Sequence, residues 1–200
     1  MKIPNNATSI DKYIIRVDSL HKKRYLGGKE IYVDNTFNPL HNAQTIATII
    51  KEPLKKSKRN KNIEVGDQVL IHHFATQEAK PIEFDDGNEC NSFYFFLDVG
   101  MMYMSIKSDG SYKTVGPFCI ITKKCDEEEV TASGIYTGYT KRYEEGEGKV
   151  LVADDTFIDG GGKVGDTIMF AKGKDYDIEM PGGDVVYRVR THSIYAIKNG

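Results

Sequence analysis

Apolar residues in this chain fall in short runs rich in Val, Ile, Tyr and Phe, each bounded by Gly, Asp or Asn. Phe93-Tyr94-Phe95-Phe96-Leu97 and Val185-Val186-Tyr187-Arg188-Val189 are typical. Such runs predict strands separated by turns. Residues 45–56 form the one stretch open to a helix, but Pro53 interrupts it and its Thr and Ile content favours a strand. The pattern predicts an all-β chain, and many short strands at this spacing mean a sandwich or a barrel.

The pattern also repeats. Val65-Gly66-Asp67-Gln68-Val69-Leu70-Ile71 is matched by Val164-Gly165-Asp166-Thr167-Ile168-Met169-Phe170. Each copy follows an opening strand, Tyr13-Ile14-Ile15-Arg16 or Cys119-Ile120-Ile121-Thr122, then a polar, glycine-bearing segment with one aliphatic-aromatic pair, Ile31-Tyr32 or Ile135-Tyr136. A second strand, residues 45–50 or 147–152, leads into the Val-Gly-Asp turn. Both copies close alike, on residues 94–99 then Met104-Ser105-Ile106-Lys107, or 185–190 then Tyr195-Ala196-Ile197-Lys198. An ordered series that occurs twice predicts two homologous units. The turn-rich Asp109-Gly110-Ser111 sets the expected boundary, giving domains 1–109 and 110–200. In the repeated turn, Gly66 and Gly165 are expected at positive φ, and Asp67 and Asp166 are expected to accept hydrogen bonds from backbone amides. That role is structural.

Composition narrows the function classes. A formal net charge of −2 argues against a polyanion binder or a membrane-surface protein. Six basic residues in 51–61 are the exception, but they lack interleaved aromatics for base stacking and read as a solvated loop. Cys90, Cys119 and Cys125 fit neither a disulfide framework nor a metal-ligand spacing, so reduced thiols in a cytoplasm are expected. No signal-length or membrane-length apolar run occurs. His72-His73 lie on an expected strand, where their side chains would face opposite ways and could not share a metal. Gly160-Gly161-Gly162 lacks the Lys-Ser/Thr of a phosphate loop and reads as a shortened turn. Asp154, Asp155 and Asp159 read as a solvated acidic loop before a hard-cation site. No nucleophile elbow or ligand-spaced His/Cys set is present, so neither enzyme chemistry nor a cofactor or metal is expected.

The ordered series resembles the GroES-like co-chaperonins, the chaperonin-10 family. Copy two carries the closer likeness, through Ile120-Ile121-Thr122-Lys123-Lys124, Thr131-Ala132-Ser133-Gly134-Ile135-Tyr136, residues 145–152, Lys163-Val164-Gly165-Asp166 and Ser193-Ile194-Tyr195-Ala196-Ile197. The likeness covers nearly all of residues 115–198, and copy one matches more loosely over about residues 10–107. Divergent phage forms and a tandem plastid form belong to this family. The resemblance implies two tandem, partly open β-barrels that assemble into a homo-oligomeric ring. It also implies a mobile loop whose apolar tripeptide docks on a large GroEL-like chaperonin and caps the chamber holding unfolded client proteins. By match to that loop, the anchors are Ile135, Tyr136 and Thr137 in copy two and Ile31, Tyr32 and Val33 in copy one. Family anchors are usually aliphatic, whereas both copies here place Tyr in the middle, and copy one inserts Lys29-Glu30 before Ile31. The expected setting is the cytoplasm, that of the host for a phage-encoded chain, with no nucleic-acid or membrane partner. The alternative is a non-enzymatic β-barrel component of a phage or other ring assembly.

Overall fold

The computed structural model describes residues 2–20, 24–26, 28–31, 43–56, 61–77, 79–84, 92–123, 146–180 and 183–198. The chain divides into two compact units, Met1–Gly116 and Pro117–Gly200. The first contains β1 (Lys2–Ile3), β2 (Tyr13–Val17), β3 (Arg24–Leu26), β4 (Lys29–Ile31), β5 (Ile46–Lys51) and β6 (Gln68–Ile71). A single helical turn α1 (Phe74–Gln77) precedes β7 (Glu83–Phe84), β8 (Phe93–Leu97), β9 (Met102–Ile106) and β10 (Tyr112–Thr114). The second unit contains β11 (Phe118–Thr122), β12 (Glu147–Val152), α2 (Asp155–Asp159), β13 (Thr167–Phe170), β14 (Asp175–Glu179), β15 (Val185–Arg190) and β16 (Ile194–Lys198). The fold is all-β, as the alternation of apolar runs and turns requires. Among the described residues no helix is long and apolar enough to cross a membrane.

Each unit is built on one six-stranded antiparallel sheet, ordered β10-β9-β6-β5-β2-β8 in the first and β14-β15-β11-β12-β13-β16 in the second. Five strands correspond one to one: β8-β2-β5-β6-β9 matches β15-β11-β12-β13-β16. The register matches as well. Tyr13 faces Leu97 as Cys119 faces Val189, and Ile15 faces Phe95 as Ile121 faces Tyr187. Even the irregularities repeat, with register shifts at Ile14/Ile15 and Ile120/Ile121, and again at Leu70/Ile71 and Met169/Phe170. Bulges bend and twist the strands that carry them, so each sheet is curved at the same two places. Among the described residues both sheets are open, since their edge strands do not pair with each other.

The sixth strand distinguishes the units. In the first, β10 covers the outer edge of β9. In the second, β14 covers the opposite edge, beside β15, and among the described residues β16 has β13 as its one neighbour. On the edge of β8 away from β2, the described residues of the first unit contribute the bridge from Ile82 to Tyr94, and the adjoining β7 pairs in parallel with β1. The boundary between units follows from β10. Asp109-Gly110-Ser111 closes the β9–β10 hairpin, where the Asp109 carboxylate accepts from the Ser111 amide at 2.8 Å. Val115 then enters the first unit's core. The chain therefore passes to the second unit at Gly116 and Pro117, beyond that turn.

The cores occupy matching positions: Tyr13, Ile15, Ile49, Val69, Ile71, Phe95 and Leu97 in one unit, Cys119, Ile121, Val150, Ile168, Phe170, Tyr187 and Val189 in the other. Alternate residues of each strand face this cluster, the period-two placement that turns a sequence pattern into a buried face.

Candidate functional site

The repeated Val-Gly-Asp turn is built the same way in both units. Gly66 and Gly165 adopt φ of 93° and 98°, a region closed to most side chains. That conformation sends the Gly66 amide to Ile49 O at 2.8 Å and the Gly165 amide to Val150 O at 2.9 Å. The carboxylates of Asp67 and Asp166 are buried, and each accepts at 2.8 Å from the backbone amide three residues earlier, that of Glu64 or Lys163. Asp67 also receives the Lys107 ammonium at 2.7 Å. Partial burial depresses the Lys107 pKa, but the hydrogen bond and charge of Asp67 outweigh it and hold the pKa above its usual value. All four turn residues thus hold backbone in place.

The candidate partner-binding segments share a topological position, the connection from the opening strand to its neighbour: residues 18–45 between β2 and β5, and 123–146 between β11 and β12. In the first unit the base of this connection is fastened where the Gln44 amide donates to Leu20 O at 3.0 Å, with Ala43 fully buried. Part of the connection is a β3–β4 hairpin, pairing Arg24 with Ile31 and Leu26 with Lys29. Ile31 therefore sits on a paired strand end, where a loop without regular structure was expected. The glycine pair between two short strands was the overlooked signal. Tyr32, Val33, Ile135, Tyr136 and Thr137, and the side chain of Ile31, lie outside the described residues.

In the second unit the connection leaves β11 at Lys123, whose position matches Val17 of the first. Val17 is a buried core residue. Lys123 is largely buried, and its ammonium pairs with Asp175 and lies 4.4 Å from the centre of the Tyr187 ring. The head is satisfied by charge and π-face together.

Other candidates resolve into structure. His72 and His73 follow β6, because Ile71 ends the strand and the chain turns at once into α1. The turn brings the two rings within 4.2 Å of each other, so the opposite-facing strand geometry does not occur. The Phe74 amide donates to His72 Nδ1 at 3.1 Å. Asp154 is not in a solvated acidic loop. It is a buried N-cap of α2, accepting from the Phe157 amide at 3.3 Å and the Thr191 hydroxyl at 2.6 Å. Burial pushes the neighbouring Cys119 thiol up to about 12, which keeps it protonated and poorly nucleophilic. Among the described residues no three His, Cys, Asp or Glu side chains gather as a metal site. No protein-family model matches the chain, and no curated protein matches it in sequence.

Proposed function

We propose that the chain is a tandem co-chaperonin of the GroES-like kind, a ring-forming lid that docks on a large ATP-driven chaperonin and encloses unfolded clients without bond chemistry of its own. The observation that carries this reading is the strand-for-strand duplication, in which the Ile-Tyr pair of each copy falls in the same connection. Two open, curved sheets with matching bulges suit partly open barrels. Among the described residues one edge of β16 has no strand neighbour, and with Tyr195 66% exposed it suits assembly into a ring.

The binding energetics follow from valency. Burying one anchor Ile is worth about 1.5–3 kcal/mol. Ordering the segment that carries it costs about 2–5 kcal/mol, so a single anchor binds weakly. Several anchors on one ring bind together through effective concentration. The test is Ile135→Asp. The account expects lost capping of a large chaperonin with the melting temperature within a degree or two of wild type. A melting point lowered by many degrees would instead make Ile135 part of the core and end its role as an anchor.

A further inference from the structure

The equivalent connections that carry the Val-Gly-Asp turns bear opposite charge. Residues 52–67, between β5 and β6, hold five Lys and Arg against three acids, Glu52, Glu64 and Asp67. Their counterpart, residues 153–166 between β12 and β13, holds four Asp against the single base Lys163. Both stretches also display an aliphatic side chain to solvent, Leu54 at 72% and Ile158 at 45% exposure. Lys55 and Lys56 follow Leu54, with Lys56 already 2.6 Å from Glu52, and Asp155 and Asp159 lie on either side of Ile158; all four are exposed.

The described part of each surface is tied down. The amides of Leu54 and Lys55 are tied to Ser9 O at 2.9 Å and Ile10 O at 2.8 Å. Helix α2 is capped by Asp154 and anchored by the buried Phe157. Surfaces already fixed in shape lose little entropy on association.

We propose that the basic connection of one copy docks on α2 of a second copy, with Leu54 against Ile158 and Lys55 and Lys56 facing Asp155 and Asp159. Each surface carries one sign of charge and repels its own duplicate, so the loop of one copy meets the helix of another rather than a second loop. When each copy gives its loop to one neighbour and its helix to the next, the contact is head to tail, the kind that propagates into rings or filaments. It deepens the ring-forming part of the proposed function and is independent of how the chaperonin is recognised.

The test is sedimentation velocity of the full chain in three forms: wild type, K55E/K56E and D155K/D159K. Wild type should associate at 0.1 M salt and dissociate towards 1 M, as the screening length falls from about 10 Å to about 3 Å. Each charge-reversed variant should associate at least about tenfold more weakly, because like charges now meet across the contact. An equimolar mixture of the two should recover association, since the acidic loop of one then meets the basic helix of the other. Recovery also excludes misfolding as the cause of the single defects. Wild type that stays monomeric, variants that associate as wild type does, or a mixture that fails to recover would each overturn the contact. Capping is read separately by chaperonin co-sedimentation. A ring with these charge responses that does not cap counts against the functional reading and leaves this contact standing.

Discussion

A β-carbon placed on Gly162 would lie 2.3 Å from the Phe157 ring. At the matching position of the first unit stands Ile63, fully buried in the core. The two units fill one hole by different means, a side chain from the strand approach in the first and the α2 phenylalanine in the second. Gly162→Ile should therefore cost about 1–3 kcal/mol by overpacking, and Phe157→Ala about 3–5 kcal/mol through the cavity it leaves. The double variant should cost clearly less than the two together, a coupling that urea denaturation of all four proteins measures. Simple additivity would show that the residues do not share a site.

Cys119 gives the pH response of the second core. Its thiol ionises near 12 in the folded chain against 9.0 for the unperturbed group, with burial the main cause. A raised value means the stabilisation is complete below pH 9 and is lost as pH climbs through the window to 12, by about 1.4 kcal/mol per unit at most. In native protein at pH 8, Cys119 should resist alkylation and become reactive on adding denaturant, as peptide mass mapping would reveal. Ready labelling of native Cys119 would contradict its burial.

Among the elements, the Lys123–Asp175 pair joins the end of β11 to the far strand β14 and stands at the root of the β11–β12 connection. Lys123→Ala removes the stem and strands a carboxylate, and should lower stability by about 2–4 kcal/mol. Pairing Lys123→Met with Asp175→Ala should recover much of that loss, because methionine refills the volume that Val17 fills in the first unit. A double variant as unstable as Lys123→Ala alone would show that volume at this position is not the deciding factor. The strands were legible because period-two alternation, β-branching and Gly-Asp turns all agree along them. Elements of one turn were not. Helix α2 spans only Asp155–Asp159, too short to show a helical period, and its one cue was Asp154 ahead of Phe157 in capping geometry. The His72-His73 pair misled because an apolar run does not announce where its ladder stops, and Ile71 is the last residue that pairs.

At the scale of the molecule, the duplication was readable from one sequence because it recurs in order, and the repeated bulges place that order in the backbone. The domain boundary was less readable. Asp109-Gly110 looks like a break between units but closes a hairpin, and only the pairing of Tyr112 with Ile106 reveals it. Fragments 1–116 and 117–200 should each unfold cooperatively in urea, whereas 1–109, deprived of β10 and Val115, should have a lower midpoint than 1–116. Equal midpoints would mean that β10 contributes nothing to the first unit. The partner-binding anchors were nominated by likeness alone, through their place in the chain. The most direct test of the lid function is native mass spectrometry of the chain with a large chaperonin and ATP at low-micromolar concentration. The account predicts a complex bearing a ring of this chain, present for wild type and absent for the I31D/I135D double variant. A chaperonin that remains bare with folded wild-type chain would contradict it.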